Sequence, residues 1–165
     1  MGFSGTFLLA RWSERLDTLA LVSAEDGEPA WLAEEPGTGW QLLQVWQGVD
    51  VGAELAAHSG GPVLVAYVND SDCAAVQART PGGVAWSGAL DPESAAHYES
   101  PFEWEPDLSV VIPAATAWAA ATGHEADPAK LEEVFQAESD PFVEDLVHEL
   151  VEALGFRFGD GVILP

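Results

Sequence analysis

PVLVAYV (62–68), NDSD (69–72), CAAVQAR (73–79), TPGG (80–83) and VAWSGAL (84–90) follow one another without a break. Three apolar runs of strand length alternate with two links made of turn residues. Asn and Asp tolerate left-handed backbone angles and bond their own backbone, while Pro and Gly punctuate. Links this short join antiparallel neighbours, because a parallel pair needs a crossover of about a dozen residues or more. The stretch therefore predicts an antiparallel meander over 62–90.

Working outward adds two strands. FSGTFLLAR (3–11) reads as one, and WQLLQVWQ (40–47) as another. In the latter, Trp40, Leu42, Gln44 and Trp46 share one face and Gln41, Leu43, Val45 and Gln47 the other. Both faces are mostly apolar, which places it inside the sheet. Between them, RLDTLALV (15–22) suits a short helix or a strand, and EDGEPAWLAEEPGTG (25–39) reads as a loop anchored by Trp31. DVGAELAAH (50–58) suits a short helix ended by Gly60 and Gly61.

The second half changes character. Asp-Pro occurs at 91–92, 127–128 and 140–141, each time before a helix-forming run. Asp accepts from the free N–H groups of a first turn, and Pro fits a first helical position that needs no N–H. Helices are predicted over 92–98, 113–122, 128–137 and 141–154, with Gly123 and Gly155 as helix-ending glycines. In the last, Phe142, Val143, Leu146, Val147, Leu150, Val151 and Leu154 form an apolar stripe. Glu144, Asp145, His148, Glu149 and Glu152 take the other side. ESPFEWEPD (99–107) reads as a wrapping loop anchored by Phe102 and Trp104. The expected architecture is α+β, with residues 1–165 as a single domain. An antiparallel sheet of about five strands is covered on one face by helices, and the acidic helical C-terminal half forms the outer layer.

Charge narrows the function. Twenty-eight Asp and Glu face five Lys and Arg, for a net charge of −23. Residues 91–165 carry 17 acids and two bases, and residues 1–90 carry 11 acids and three bases. Hydrophobic residues make up 48% of the chain, too many for charge to imply disorder. Such a field repels nucleic-acid phosphates and anionic lipid but accelerates encounter with a basic protein. The same Ala-rich, Lys-poor composition is also what high-GC coding gives, with charge serving solubility alone. One cysteine, Cys73, forms no intrachain disulfide, which fits a reducing compartment. MGFSGTFLLARW lacks the basic and apolar segments of a signal peptide. It matches the Met-Gly-x-x-x-Thr myristoylation pattern, yet reads equally as the first strand. No apolar run approaches a membrane span. The expectation is a cytoplasmic protein with no nucleic-acid or membrane partner.

Asp70 and Asp72 have the one-residue spacing of carboxylates that hold Mg²⁺ or Ca²⁺. The helix–loop–helix calcium template fails: counting from Asp70, its later positions fall on Ala74, Ala75 and Pro81. LVAYVNDSDCA resembles the Asp-x-Asp segment of haloacid-dehalogenase-type phosphotransferases, which implies Asp70 and Asp72 as the acidic pair. That family also needs a downstream Lys within alternating strands and helices. Here the only Lys is Lys130, and Asp72 leads into a strand. A turn fits the segment better. Cys73 has no neighbouring base to stabilise a thiolate and reads as core. His58, His97, His124 and His148 have no zinc spacing. Glu144, His148 and Glu152 stand four apart and form a row able to hold a metal, though such rows are more commonly solvated faces. No glycine-rich phosphate loop and no nucleophile elbow occur, and no cofactor is implied.

Two functions stay open. The favoured one is a non-catalytic interaction module of immunity or antitoxin type, binding a basic partner through Glu144, Asp145, Glu149, Glu152, Asp70 and Asp72. The alternative is a small-molecule or metal-dependent enzyme, or a ligand-binding protein. It would use Asp70 and Asp72 with His97 or His148.

Overall fold

The meander is present. The computed structural model describes residues 2–24, 28–46 and 51–165. Within it β4 (Val63–Asn69), β5 (Cys73–Thr80) and β6 (Gly83–Leu90) pair antiparallel, with Asn69 opposite Cys73 and Thr80 opposite Gly83. Asp70 and Ser71 have φ of 48° and 59°, and the Asp72 N–H donates to the Asn69 carbonyl at 2.9 Å. Two successive left-handed residues give a turn whose twist matches that of the flanking strands.

Among the described residues the sheet has seven strands, where about five were expected. β1 (Gly5–Arg11) lies at its centre, between β4 and β3 (Trp40–Trp46). β2 (Glu28–Glu34) and β7 (Val162–Ile163) extend it beyond β3. The order is β6-β5-β4-β1-β3-β2-β7, with every neighbouring pair antiparallel. β2 falls where a loop was expected. Its Pro29 breaks the strand pattern, and a register shift between Pro29 and Trp31 absorbs it. Gln47 and Asp50, the outer ends of the strand and helix expected there, lie outside the described residues.

Helices cover both faces rather than one. On the first face, Phe7, Leu9, Trp40, Leu42, Leu64, Val76 and Leu90 pack beneath α4 (Leu108–Ala121), α5 (Pro128–Gln136) and α6 (Val143–Ala153). On the second, Leu8, Ala10, Leu43, Val45, Val63 and Val65 meet three residues from the segment after β1: Leu16, Leu19 and Val22. That segment holds a 3₁₀ turn (Leu16–Thr18) and α1 (Ala20–Ala24). α2 (Gly52–Ser59) completes the cover with Leu55 and Ala56. The cause lies in β1, β3 and β4, which are apolar on both sides. A bare second face would leave that surface in water at about 25 cal/mol per Å². Near β6 the second face is closed by α3 (Pro92–Ala95) and the 99–107 loop. Trp104 of the loop packs on Cys73, Ala89 and Ala95, and Phe102 meets Tyr67 edge to face at 5.6 Å.

Two of the three Asp-Pro pairs cap as expected. Asp91 accepts from the Ser94 N–H and Asp127 from the Lys130 N–H. The third does not: Asp140–Pro141 is cis, and α6 begins only at Val143, with extended Phe142 before it. Phe142 is 52% exposed and leaves the apolar stripe, whose other members are buried. α4 begins five residues ahead of expectation, capped by Asp107, with Pro113 inside it. Trp40, Trp86 and Trp118 cluster under the helices, whereas Trp46 sits half-exposed against Phe3. Among the described residues no helix is long and apolar enough to cross a membrane.

Candidate functional site

NDSD is a hub. Asp70, Ser71 and Asp72 each tie down a distant segment. Asp70 accepts from the Gly2 N–H at 2.7 Å, and its own N–H donates to Ser4 Oγ. The Ser71 hydroxyl accepts from the Phe3 N–H and donates to Glu144 Oε1, both at 2.7 Å. The Ser71 carbonyl accepts from the Val143 N–H, which fixes the start of α6. Asp72 Oδ2 accepts from the Tyr98 hydroxyl at 2.7 Å, and its carbonyl accepts from Ser139 Oγ. The Asp72 bond, with burial and the Asp70 charge, pushes the Tyr98 phenol up to about 12.

The structure thus brings Asp70, Asp72 and Glu144 together. Asp145, Glu149 and Glu152 continue along the exposed side of α6. Glu144 is only half-exposed, and its second oxygen is buried with no hydrogen-bond partner among the described residues. His148 keeps an exposed edge but stands edge-on to Phe7 at 5.7 Å and Trp31 at 5.1 Å. Loss of water against those rings holds its pKa below the ordinary histidine value, despite Asp145 and Glu144. His97 is exposed beyond α3. No three His, Cys, Asp or Glu side chains among the described residues are grouped to hold a metal ion. Cys73 is buried, and burial with the Asp91 and Asp72 carboxylates pushes its thiol up to about 11. That thiol is no nucleophile near neutral pH.

Ion pairing is scarce. Only Arg15–Asp17 and His124–Glu35 form ion pairs among the described residues. Glu132 and Glu133 of α5 and Asp145, Glu149 and Glu152 of α6 are exposed, and none of their carboxylates forms an ion pair among the described residues. By Coulomb's law a row of unneutralised charges projects a potential beyond its own surface, screened over about 8–10 Å at physiological salt.

Sequence reasoning missed the second of those pairs. Two helix ends build it. α4 and α6 both finish in the same six-to-one hydrogen-bonded turn, with Gly123 at φ 86° and Gly155 at φ 101°. The following residues, His124 and Phe156, donate back to the carbonyls of Ala119 and Val151. Their rings stack at 3.8 Å, and Trp40 stands edge-on to both. His124 Nε2 lies 2.7 Å from Glu35 Oε1. Nδ1 faces the hydroxyl and carbonyl oxygens of Thr122, and that hydroxyl already donates to the Ala119 carbonyl. Both ring nitrogens thus have partners in the protein, one on each side of the ring. Glu35 also accepts from Thr38 Oγ1 and the Arg157 N–H. Burial raises its pKa, but these donors and His124 outweigh it and hold the carboxyl below its ordinary value. The signal in the sequence was faint: a helix-ending glycine before His124, and a Pro-Gly turn after Glu35.

No protein-family model, curated protein or solved structure matches the chain.

Proposed function

We propose that this protein is a non-catalytic interaction module that binds a basic protein through the acidic strip running from the NDSD turn along α6. The observation that carries this reading is the exposed row Asp145, Glu149 and Glu152, none of whose carboxylates forms an ion pair among the described residues. Asp70, Asp72 and Glu144 extend the strip at its hub end, where their bonds to the chain hold them in place. A rigid, single-sign strip speeds encounter with a basic surface and rejects acidic ones. The commitment of Asp70 and Asp72 to intramolecular donors favours this role over metal ligation.

The test is retention of lysate proteins from the source cell on the immobilised chain, eluted by a salt step and compared with the Asp145→Asn/Glu149→Gln/Glu152→Gln variant. These three side chains are exposed, so the variant keeps the core and the Ser71–Glu144 bond. One basic protein released as the screening length falls toward about 3 Å near 1 M salt, and not retained by the variant, is the expected result. Equal retention by both columns, or none on either, sinks the reading.

A further inference from the structure

We propose that the cavity between the end of β6, the start of α3, the 104–108 loop and the C-terminal end of α5 seats one arginine side chain of the basic partner. This assignment rests on the reading above and adds the contact that anchors it. The cavity holds about 320 Å³, at the small end of ligand pockets. Trp104, Leu108 and Phe135 give it apolar walls, while Glu93, Glu105 and Glu138 stand around it. No Lys, Arg or His lines it.

Two further sources of negative potential converge there. Asp91 is only 6% exposed, and it accepts from the Ser94 N–H and from both the N–H and hydroxyl of Ser139. Those donors outweigh burial and keep it ionised, yet no cation is paired with it among the described residues. The C-terminal end of α5 is the negative pole of its helix, and no basic residue occupies its last turn. The Ser139 hydroxyl lies between Asp91 Oδ2 and the Asp72 carbonyl, at 2.9 and 2.8 Å, so a single residue joins a wall of the cavity to the NDSD turn.

An apolar slot under such a potential asks for a cation with an apolar stem. Arginine fits best. Its planar guanidinium stacks on an aromatic face such as Trp104, donates in pairs to carboxylates, and sheds water more readily than an ammonium. Its methylenes lie against apolar walls.

The test is an amide-resolved NMR titration with N-acetyl-arginine amide, with N-acetyl-norleucine amide and spermidine as comparison probes. The expected result is saturable movement of the Trp104 indole N–H and of the Glu93 and Glu138 amides with the arginine probe, and none with norleucine. The Glu93→Gln/Glu138→Gln variant, whose altered side chains are exposed, should bind about fivefold more weakly. No movement at these residues, or an unchanged affinity in the variant, overturns the proposal. Spermidine saturating the same signals at lower concentration overturns it in favour of a free polyamine. The double variant leaves α6 intact. A partner that binds it as tightly as the original chain removes the pocket alone, and a partner indifferent to the α6 variant removes the strip.

Discussion

Replacing Glu35 by Gln should cost about 2–3 kcal/mol of stability at pH 7. The side chains of Glu35 and His124 are 8% and 9% exposed, so water screens their attraction little. Glu35 gathers three donors at 2.7–2.8 Å: the His124 ring, the Arg157 N–H and the Thr38 hydroxyl. Gln keeps an acceptor for two of them but loses the charge that His124 faces, and hydrogen bonds to charged groups are worth about 1.5–3 kcal/mol. His124→Gln removes the same bond and the stack on Phe156, for about 3–4 kcal/mol. If the pair acts as a unit, the double variant should show a coupling of about 1.5–3 kcal/mol. Urea unfolding read by tryptophan fluorescence measures all four corners, since Trp40 lies against the site. The pH dependence has a fixed sign. The Glu35 carboxyl is held below its ordinary value of 4.5, so its stabilisation is fully present above that value. It is lost as pH falls through the lower, folded value. The gap between the original chain and Glu35→Gln should close as pH falls below 4.5. A coupling under about 0.5 kcal/mol, or a gap undiminished at the lowest pH where the chain still folds, refutes the pair as a charged unit.

Two further outcomes are expected. Gly155→Ala should destabilise by about 1–3 kcal/mol by thermal melting, because φ is 101° there and an added Cβ would meet the Glu125 carbonyl oxygen at 2.5 Å; a neutral result would mean that α6 does not end as described. In a spectrophotometric titration near 295 nm, the Tyr98 phenol should ionise at about 12 and return toward 10 in Asp72→Asn, and no change on that substitution would exclude the hydrogen bond.

What the sequence revealed was what is local. The 62–90 meander, β1, β3 and the buried side of α6 follow from spacing along the chain, and spacing survives folding. β2 was hidden by Pro29 and its flanking acids, whose effect a bulge removes. β7 is two residues long, too short for any periodicity. Pro113 mimicked a helix start because the real cap, Asp107, has no proline after it. Cover on the second face came from a 3₁₀ turn and two short helices, none with a strong apolar period. The same division holds at the site. The exposure of Asp145, Glu149 and Glu152 is a matter of helical phase and could be read directly. The bonds of Asp70, Ser71 and Asp72 to Gly2, Tyr98 and Glu144 join residues 26 to 73 positions apart, and Glu35 reaches His124 across 89. Nothing in a residue's own neighbourhood encodes such partners.

The position of β1 bears on synthesis. It precedes both of its partners in the chain, yet it becomes the central strand, with Phe7, Leu8, Leu9 and Ala10 all fully buried. At about 5–20 residues per second, the stretch from its end to the end of β4 needs roughly 3–12 s to emerge from a ribosome. A hairpin forms in about 1–10 μs, so translation, not pairing, sets when this strand can be sandwiched. For those seconds at least one edge of the strand lacks its partner, and the face bearing Phe7 and Leu9 stays open longer still, until α4, α5 and α6 follow.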